Sequence, residues 1–332
     1  MTENRGRDAR RQLPPGTGRS SEVVRVDRLA HLFAASGTPE GVLLAIGDDA
    51  AVLTPGNDPL VWTVDTAVEG IHFDRDWLTL EDIGWRSVMA AASDLAAMGA
   101  RPRGVLSALV LPPELTDGEL ERIARGQAAA AEALGTAVIG GNLSRGGELS
   151  LTTTVLGTAE HPIRRDSAQP GDVVALAGEV GLARAGMEAA RRRLDSPATG
   201  PAILAWRRPH ARITDGIAAA THAHAAIDLS DGLALDAWRV ATASRVRIEL
   251  DKDRILESRS EALSAAANAI SLDRWELALR GGEDYALLVA MPQGVNLPGF
   301  VPIGRCTDGD GLALRDGGVV GGLSPDGFDH FA

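Results

Sequence analysis

Apolar positions along this chain recur either at helical spacing or in short continuous runs, and the two patterns together predict a mixed α/β protein. Residues 22–35 carry a helical pattern that follows Ser21, a residue type that commonly caps helices. Residues 60–68 instead predict a β-strand. The same criteria predict helices at 79–99, 116–134, 182–193, 210–222 and 231–243, and strands at 104–111, 137–139, 149–156, 173–176, 225–228, 246–250 and 285–290.

A turn-rich stretch at residues 159–172 divides these elements into two groups. It contains Gln169-Pro170-Gly171-Asp172, a combination typical of a connecting segment. At 332 residues the chain is long enough for about two domains. We therefore expect an N-terminal domain over residues 21–160 and a C-terminal α/β domain over residues 161–332.

Composition excludes several classes of function. Lys and Arg number 33 against 45 Asp and Glu, and the resulting charge of −12 argues against a nucleic-acid-binding surface. Residues 1–20 are polar and rich in Arg, so we expect a disordered tail and not a secretory signal. The apolar runs are too short to span a membrane, and we predict a cytoplasmic protein. Lys252 and Cys306 are the single lysine and cysteine, which argues against a P-loop and a disulfide.

Four acidic residues lie at unusual places in the sequence. Asp48 and Asp49 form a pair between apolar runs, where the ordinary interpretation is a charged surface turn. Asp65 lies inside the strand predicted at 60–68, either on its solvent face or in a site. Asp94 lies in the middle of a predicted helix among small apolar residues, although Asp is a weak helix former. A carboxylate on a stripe of small residues favours a functional role.

Two further acidic segments and a glycine-rich segment follow predicted strands. Asp228-Leu229-Ser230-Asp231 precedes a helix, so Ser230 or Asp231 is also a candidate helix cap. Gly281-Gly282-Glu283-Asp284 is a candidate site or an ordinary turn. Residues 140–147 predict a loop that would bind phosphate or nucleotide, although such loops are more often simple turns. His72 is either a packed histidine or a ligand contact.

The chemistry that these residues share is coordination by oxygen. The sequence has no Gly-x-Ser-x-Gly nucleophile motif and no His/Cys spacing typical of zinc. Several aspartates with glycine-rich segments are instead the set used for Mg²⁺ and phosphoryl transfer.

Taken in order, these segments resemble the thiamine-monophosphate kinase family of the PurM/AIR-synthase-like ATP-binding superfamily. The likeness extends from about residue 22 to the end of the chain. The matching stretches are Gly47-Asp48-Asp49-Ala50, Asp65-Thr66, Gly70-Ile71-His72-Phe73, Ser93-Asp94-Leu95-Ala96-Ala97-Met98-Gly99-Ala100, Gly140-Gly141, Asp228-Leu229-Ser230-Asp231-Gly232-Leu233, Gly281-Gly282-Glu283-Asp284-Tyr285 and Gly327-Phe328-Asp329-His330-Phe331.

The resemblance implies ATP-dependent phosphorylation of thiamine monophosphate to thiamine diphosphate with several Mg²⁺ ions, and leaves open a monovalent cation. It implies a two-domain PurM-like fold and a homodimer in which the N-terminal mixed sheets form a barrel. Carried over residue by residue, it assigns metal ligation to Asp49, Thr63, Val64, Asp65, Asp94, Asn142, Asp228 and Asp231, ATP contacts to Gly141, Asn142, Arg165 and Ser230, and substrate contacts to His72, Glu283 and Phe328.

Asn142 departs from the family pattern, which has an aspartate on Mg²⁺ at this position. An amide still offers a carbonyl oxygen but no charge, so we expect weaker metal binding there. The chain also has Ala124 where related proteins often carry an aromatic residue for adenine packing. Asn142 keeps a second hypothesis open, a nucleotide-binding homologue with low or no activity.

Other enzymes of the same superfamily form the remaining alternative. A selenophosphate synthetase normally carries a reactive cysteine or selenocysteine near its N-terminus, and residues 1–40 have none. A hydrogenase-maturation protein ends in a cysteine-terminated tail, whereas this chain ends in His330-Phe331-Ala332. AIR synthase also belongs to this group.

Overall fold

A computed structural model describes residues 20–35, 37–46, 50–257 and 261–328. Its helices are α1 (Glu22–Ala34), α2 (Leu80–Ala97), α3 (Asp117–Ala133), α4 (Leu182–Arg191), α5 (Gly200–Arg207), α6 (Ile213–Ala219), α7 (Leu233–Ser244), α8 (Lys252–Glu257), α9 (Glu261–Ile270) and α10 (Arg274–Arg280). Its strands are β1 (Val42–Leu44), β2 (Val52–Leu53), β3 (Leu60–Val68), β4 (Arg101–Leu111), β5 (Val138–Arg145), β6 (Ser150–Thr158), β7 (Val173–Ala177), β8 (Ala225–Leu229), β9 (Arg247–Asp251), β10 (Ala286–Met291), β11 (Phe300–Thr307), β12 (Gly311–Asp316) and β13 (Val319–Gly322).

The first large sheet has four strands in the order β3-β6-β4-β5. Strand β4 is parallel to β5 and antiparallel to β6, so the sheet is mixed, as the sequence predicts. Helix α2 packs against both β3 and β6 and also crosses α3 closely. A side chain on Gly84 would lie 2.1 Å from the Ile123 carbonyl oxygen, and one on Gly126 would lie 2.1 Å from the Glu81 carbonyl oxygen. Glycine at both positions therefore permits this close crossing.

The second large sheet has seven strands in the order β13-β12-β9-β11-β7-β10-β8. Its central strands consist almost wholly of buried apolar residues, as expected for a sheet covered on both faces. The end of β8 and the start of β10 lie side by side, because Leu229 pairs with Ala286. Consequently the segments that follow β8 and precede β10 meet at one edge of this sheet.

The sequence prediction is wrong for residues 140–147. Most of this segment belongs to β5, which continues through Arg145 and pairs with β4. Gly141 is required there for close backbone approach, since a side chain on it would lie 2.0 Å from the Ser107 carbonyl oxygen. The glycines thus let two strands approach closely and do not form a loop.

Two local predictions at turns and caps are also corrected. The sequence suggests hairpin turns at Asp308-Gly309 and Asp316-Gly317-Gly318, but the first is not formed, because β11 and β12 both pair with β9 and not with each other. The N-cap of α7 is Gly232, without a side-chain cap, so neither Ser230 nor Asp231 has the capping role. In contrast, β12 and β13 do form a hairpin around Gly317-Gly318. Helix α5 and the short helices α8–α10 were not predicted.

The length and hydropathy of the helices show whether any of them could cross a membrane. Among the helices of the described ranges, none combines the length and hydropathy needed to cross a membrane.

Candidate active site

Two carboxylates from different halves of the chain lie close enough for the charge of one to affect the ionisation of the other. Asp94 lies near the C-terminal end of α2, and Asp228 lies near the end of β8. Burial, and then the neighbouring Asp94, raise the pKa of Asp228 to about 7. Burial also raises the pKa of Asp94, and the charge of Asp65 acts in the same direction. The sequence-predicted residues Asp65, Asp94 and Asp228 therefore lie in one acidic region.

Every second side chain of strand β3 points toward this acidic region. Thr63 donates a hydrogen bond from Oγ1 to Asp94 Oδ2, which ties the strand to α2. Asp65, two residues further, lies on the same face of the strand and is exposed. Val64 points to the opposite face, and the Thr63 carbonyl already accepts a hydrogen bond of 2.5 Å from Thr154 Oγ1. Metal ligation by backbone oxygens of Thr63 and Val64 stays a prediction.

Asp231 is engaged in an ion-pair network. Arg239 Nη1 lies 2.6 Å from Asp231 Oδ2 and 2.6 Å from Asp236 Oδ1. The Asp231 backbone N–H also donates to Asp236 Oδ2 at 3.0 Å. A carboxylate with a cationic partner has less need of a metal ion than Asp94 or Asp228 has.

Glu283 lines a pocket that lies between the two large sheets. The pocket encloses about 420 Å³ of empty space, part of it open to solvent, and its walls include Asp65, His72, Arg86 and Tyr285. Arg86 Nη2 donates to Glu283 Oε1 at 2.7 Å, and Trp206 Nε1 donates to Glu283 Oε2 at 3.0 Å. Arg86 and Trp206 are both buried, so two rigid donors fix this carboxylate.

The turn that carries Glu283 adopts an unusual backbone conformation. Glu283 has φ of 58° and Tyr285 has φ of 48°, in the left-handed region that side chains other than glycine rarely adopt. Between them, Asp284 accepts hydrogen bonds from the N–H groups of Gly181 at 2.7 Å and Ala183 at 3.1 Å. Asp284 thus holds the first turn of α4 and directs Glu283 toward the pocket. Strain of this kind is often found at functional sites.

His72 contributes an imidazole to the walls of the same pocket. Its Nδ1 accepts a hydrogen bond of 3.1 Å from the Val68 backbone N–H. In neutral imidazole the proton then resides on Nε2, which is a donor suited to an anionic ligand. The structure therefore places His72 and Glu283 on the walls of one pocket, together with Asp65.

The residues assigned to ATP are more widely spread. Gly141 and Asn142 lie on β5, where they line a second pocket beneath α1. Arg165 is exposed, and its charge partly opposes the rise in the pKa of Asp94 that burial causes. The carbonyl of Ser230 accepts a hydrogen bond of 2.7 Å from the Glu283 N–H. Their roles in nucleotide binding stay predictions.

Asn142 does not share a sheet face with Asp65. Asp65, Thr153, Ser107 and Gly141 form one row across the sheet, and Asn142 belongs to the next row. Successive side chains of a strand point to opposite faces, so Asn142 lies on the face opposite to Asp65. Its Nδ2 donates to Ser144 Oγ at 3.3 Å.

The C-terminal segment returns to the acidic region. The Phe328 N–H donates to the Asp231 carbonyl at 3.1 Å, and the Phe328 ring is 47% exposed. An exposed ring beside the site is compatible with the substrate contact predicted for it. Asp49 and residues 329–332 lie outside the described residues.

Within the ranges that the structure describes, no group of three or more His, Cys, Asp or Glu side chains is arranged to hold a metal ion. The pair Asp94 and Asp228 nevertheless fits a cation chemically. Burial raises the pKa of both carboxyls, and the charge of Asp94 raises that of Asp228 further, so the positive charge of a divalent ion would stabilise the two ionised groups. Metal binding at these residues stays a prediction.

Sequence reasoning missed Arg86, Trp206 and Tyr285. The signal for Arg86 is a charged residue within the mostly buried stretch of α2, comparable to the signal that identified Asp94. Trp206 gives no such signal, because its contact with Glu283 joins residues 77 positions apart.

Comparisons with known proteins identify the family of this chain. Residues 47–159 match the family described as AIR synthase related protein, N-terminal domain. A thiamine-monophosphate kinase of Mycobacterium tuberculosis (strain ATCC 25618 / H37Rv) is 34% identical over 299 residues, which cover 89% of this chain and 88% of the relative. The solved structure of AaThiL complexed with AMPPCP and TMP is similar at a TM-score of 0.78 and 32% identity, covering 86% of this chain and 92% of that one.

A more distant structure shares only the fold. Hydrogenase maturation protein HypE in complex with ATP matches at a TM-score of 0.71 but 20% identity, over 93% of this chain and 96% of that one. The higher identity to the kinases extends over most of both chains. This chain therefore belongs to the thiamine-monophosphate kinase family.

Proposed function

We propose that this protein transfers the γ-phosphoryl group of ATP to thiamine monophosphate and forms thiamine diphosphate. The observation that carries the proposal is the meeting of Asp94 and Asp228, from separate halves of the chain, in the same acidic region as Asp65, which also lines the pocket of His72 and Glu283. Phosphoryl transfer requires carboxylates that can hold a metal ion and a nearby hydrogen-bond donor that can bind phosphate.

The acceptor needs little activation. A phosphate oxygen of thiamine monophosphate is already ionised at neutral pH, so direct in-line attack on the γ-phosphorus needs no general base. Catalysis then depends on positioning and on neutralising the charge of the crowded phosphates. In this arrangement His72 Nε2–H donates to the substrate phosphate, and Glu283 faces the cationic part of the substrate.

Mg²⁺, when bound, would supply the charge neutralisation. Asp94 and Asp228 would hold the ion with Asp65, and Asp49 would join them as the family pattern implies. The side-chain oxygen of Thr63 orients Asp94 within this set. Asp231 and Asn142 contribute less directly, because Asp231 has Arg239 as its partner and Asn142 lies on the opposite sheet face.

The exposed face of the four-stranded sheet supports a homodimer. Alternate residues of β3 expose large apolar side chains, with Leu60 at 63%, Trp62 at 69% and Val64 at 64% of their surface accessible. Contiguous exposed apolar side chains on an edge strand commonly indicate an interface. A second copy of the same sheet offers a matching surface, and the two sheets would then form a barrel across the dimer.

The activity is tested by incubating the full chain with ATP, MgCl₂ and thiamine monophosphate. Equal amounts of ADP and thiamine diphosphate are expected. ATP binding without turnover would instead favour the non-catalytic homologue that Asn142 suggests. Repeating the assay in K⁺ and in Na⁺ determines whether a monovalent cation takes part.

Replacing Asp94 tests the assigned metal ligands. We expect Asp94→Asn to reduce thiamine diphosphate formation by about 10³-fold or more, since metal-assisted charge neutralisation supplies several kcal/mol to the transition state. The fold should persist, because the amide can still accept the Thr63 hydrogen bond. Asp308→Asn, at an exposed position after β11, is the matched control. Wild-type turnover in Asp94→Asn would contradict the assignment.

A further inference from the structure

Tyr285 lines the pocket of Glu283 and is the single tyrosine of the chain. It directly precedes β10, and its backbone N–H donates to the Leu229 carbonyl at 2.9 Å, so it lies beside the end of β8. Its backbone keeps the left-handed conformation described above, which is unfavourable for a bulky side chain. A strained residue in the wall of a pocket points to a functional constraint at that position.

Charged groups of both the pocket and the acidic region act on the Tyr285 phenol. Burial raises its pKa above the usual range, and the charges of Glu283, Asp65 and Asp228 act in the same direction, whereas Arg86 opposes them. The hydroxyl therefore keeps its proton at neutral pH, where it is a hydrogen-bond donor and not a base. Because Asp65 and Asp228 both affect it, the phenol belongs to the end of the pocket that adjoins the acidic region.

The Tyr285 hydroxyl has no hydrogen-bond partner among the residues that the structure describes. Side-chain oxygens that lack a partner and are sealed from solvent occur elsewhere in the described ranges, as at Thr136 Oγ1, but the Tyr285 oxygen is not one of them. The residue as a whole is only partly buried. The hydroxyl is therefore accessible, and a ligand in the pocket can supply the acceptor that the protein does not.

Neighbouring donors in the same pocket are already engaged within the protein. Arg86 directs its two terminal nitrogens to Glu283 and to a backbone carbonyl. The Ser87 hydroxyl donates to a backbone carbonyl of its own helix at 2.9 Å. Among the described walls of the pocket, the Tyr285 hydroxyl is in contrast a donor whose hydrogen is not yet used.

We propose that the Tyr285 hydroxyl donates a hydrogen bond to the phosphate of thiamine monophosphate and holds the acceptor oxygen in position for attack on ATP. The inference rests on the proposed function, in which this phosphate is the acceptor. A phosphate beside Asp65 and Asp228 is repelled unless donors or cations also surround it. A neutral hydroxyl supplies such a donor without a positive charge that would pair with the carboxylates instead.

Replacing Tyr285 by Phe removes the hydroxyl and keeps the ring. In Tyr285→Phe, kcat/KM for thiamine monophosphate should fall about 10-fold to 100-fold, the usual loss for a hydrogen bond to a charged group. In calorimetric titrations without ATP, thiamine monophosphate should bind more weakly by a similar factor, whereas thiamine, which has no phosphate, should bind as it does to the wild type. Thr136→Val, which deletes an unpaired hydroxyl outside the pocket, is the matched control and should keep the wild-type values.

Because the chain has one tyrosine, the wild-type protein can also be examined directly. Tyrosine labelled with ¹³C at Cζ, the carbon that carries the hydroxyl, gives a single signal in the NMR spectrum. We expect thiamine monophosphate to shift this signal clearly more than thiamine does. The measurement needs no variant to fold, so it stands even if Tyr285→Phe is unstable.

The binding measurements separate this inference from the proposed function. If Tyr285→Phe loses affinity for thiamine monophosphate but the wild type makes no thiamine diphosphate, the proposed function fails and the phosphate contact of Tyr285 stands. If the wild type makes thiamine diphosphate and Tyr285→Phe matches it in affinity and turnover, the contact is overturned. An equal loss of affinity for thiamine and thiamine monophosphate, or equal shifts of the NMR signal, would also overturn it, since either result indicates packing alone.

Discussion

Asp94 shows how a single side chain acquires a role from its surroundings. Small residues around it on α2 leave room for Thr63 of β3 and for Asp228 of the other half of the chain. Its position in the middle of a helix is enough to single it out in the sequence. Arg86 gives a similar signal, but the sequence does not reveal the partners of Arg86 and Gln127, because Glu283 and Ser107 are distant along the chain.

Cys306 offers a direct test of burial at the residue scale. The thiol is almost completely buried in β11, and burial, followed by the charge of Asp172, raises its pKa to about 12. At pH 7 to 9 the group stays protonated and therefore unreactive. We expect Ellman's reagent to label less than about a tenth of the thiol in the native protein, and all of it in guanidinium chloride. Rapid stoichiometric labelling of native protein at pH 8 would contradict this.

Elements were predictable where a periodic pattern extended over many residues. Helices α1, α2 and α3 and strands β3 and β6 occupy nearly the predicted ranges, because their apolar faces are continuous. The segment at 140–147 was misjudged, because Gly141 serves close strand pairing, and the sequence cannot distinguish that use from a turn. Helices α8–α10 are short, and tertiary packing more than local pattern stabilises helices of this length.

The crossing of α2 and α3 yields a prediction at the scale of elements. Gly126→Ala would place a methyl group 2.1 Å from the Glu81 carbonyl oxygen, so the two helices must separate. We expect a loss of about 2–3 kcal/mol in the free energy of unfolding, measured by urea denaturation. Gly200→Ala is the control, since open space surrounds that helical glycine and alanine there should be neutral or mildly stabilising. Equal stability of both variants would show that the crossing tolerates added volume.

For the whole molecule, the mixed α/β fold and the family assignment are confirmed, whereas the domain limits of 21–160 and 161–332 stay predictions. The separation into a four-stranded and a seven-stranded sheet agrees with the turn-rich stretch at 159–172. Contacts between the halves could not be predicted from the sequence, because Trp85 donates to the Pro209 carbonyl and Arg86 donates to Glu283 across 124 and 197 positions of the chain.

Assembly is testable at this scale through the exposed side chain of Trp62. Placing a carboxylate on the apolar surface of β3 would bury a charge in the proposed interface. We expect Trp62→Glu to sediment as a monomer at concentrations where the wild-type protein is a dimer. Val319→Glu, on the equally exposed edge strand β13, should remain dimeric. A wild-type protein that is monomeric at about 100 μM would rule the proposed dimer out.

The walls of the Glu283 pocket come from both halves of the chain, with Asp65 and Arg86 on one side and Glu283 and Tyr285 on the other. A ligand that contacts both sides therefore joins the halves, and by thermodynamic linkage it resists any unfolding that separates them. At a concentration 100 times its dissociation constant, thiamine monophosphate would add about 2.7 kcal/mol to the free energy of unfolding. Protection of the α2 and β10 amides from hydrogen exchange would then report occupancy of the pocket even when no chemistry takes place.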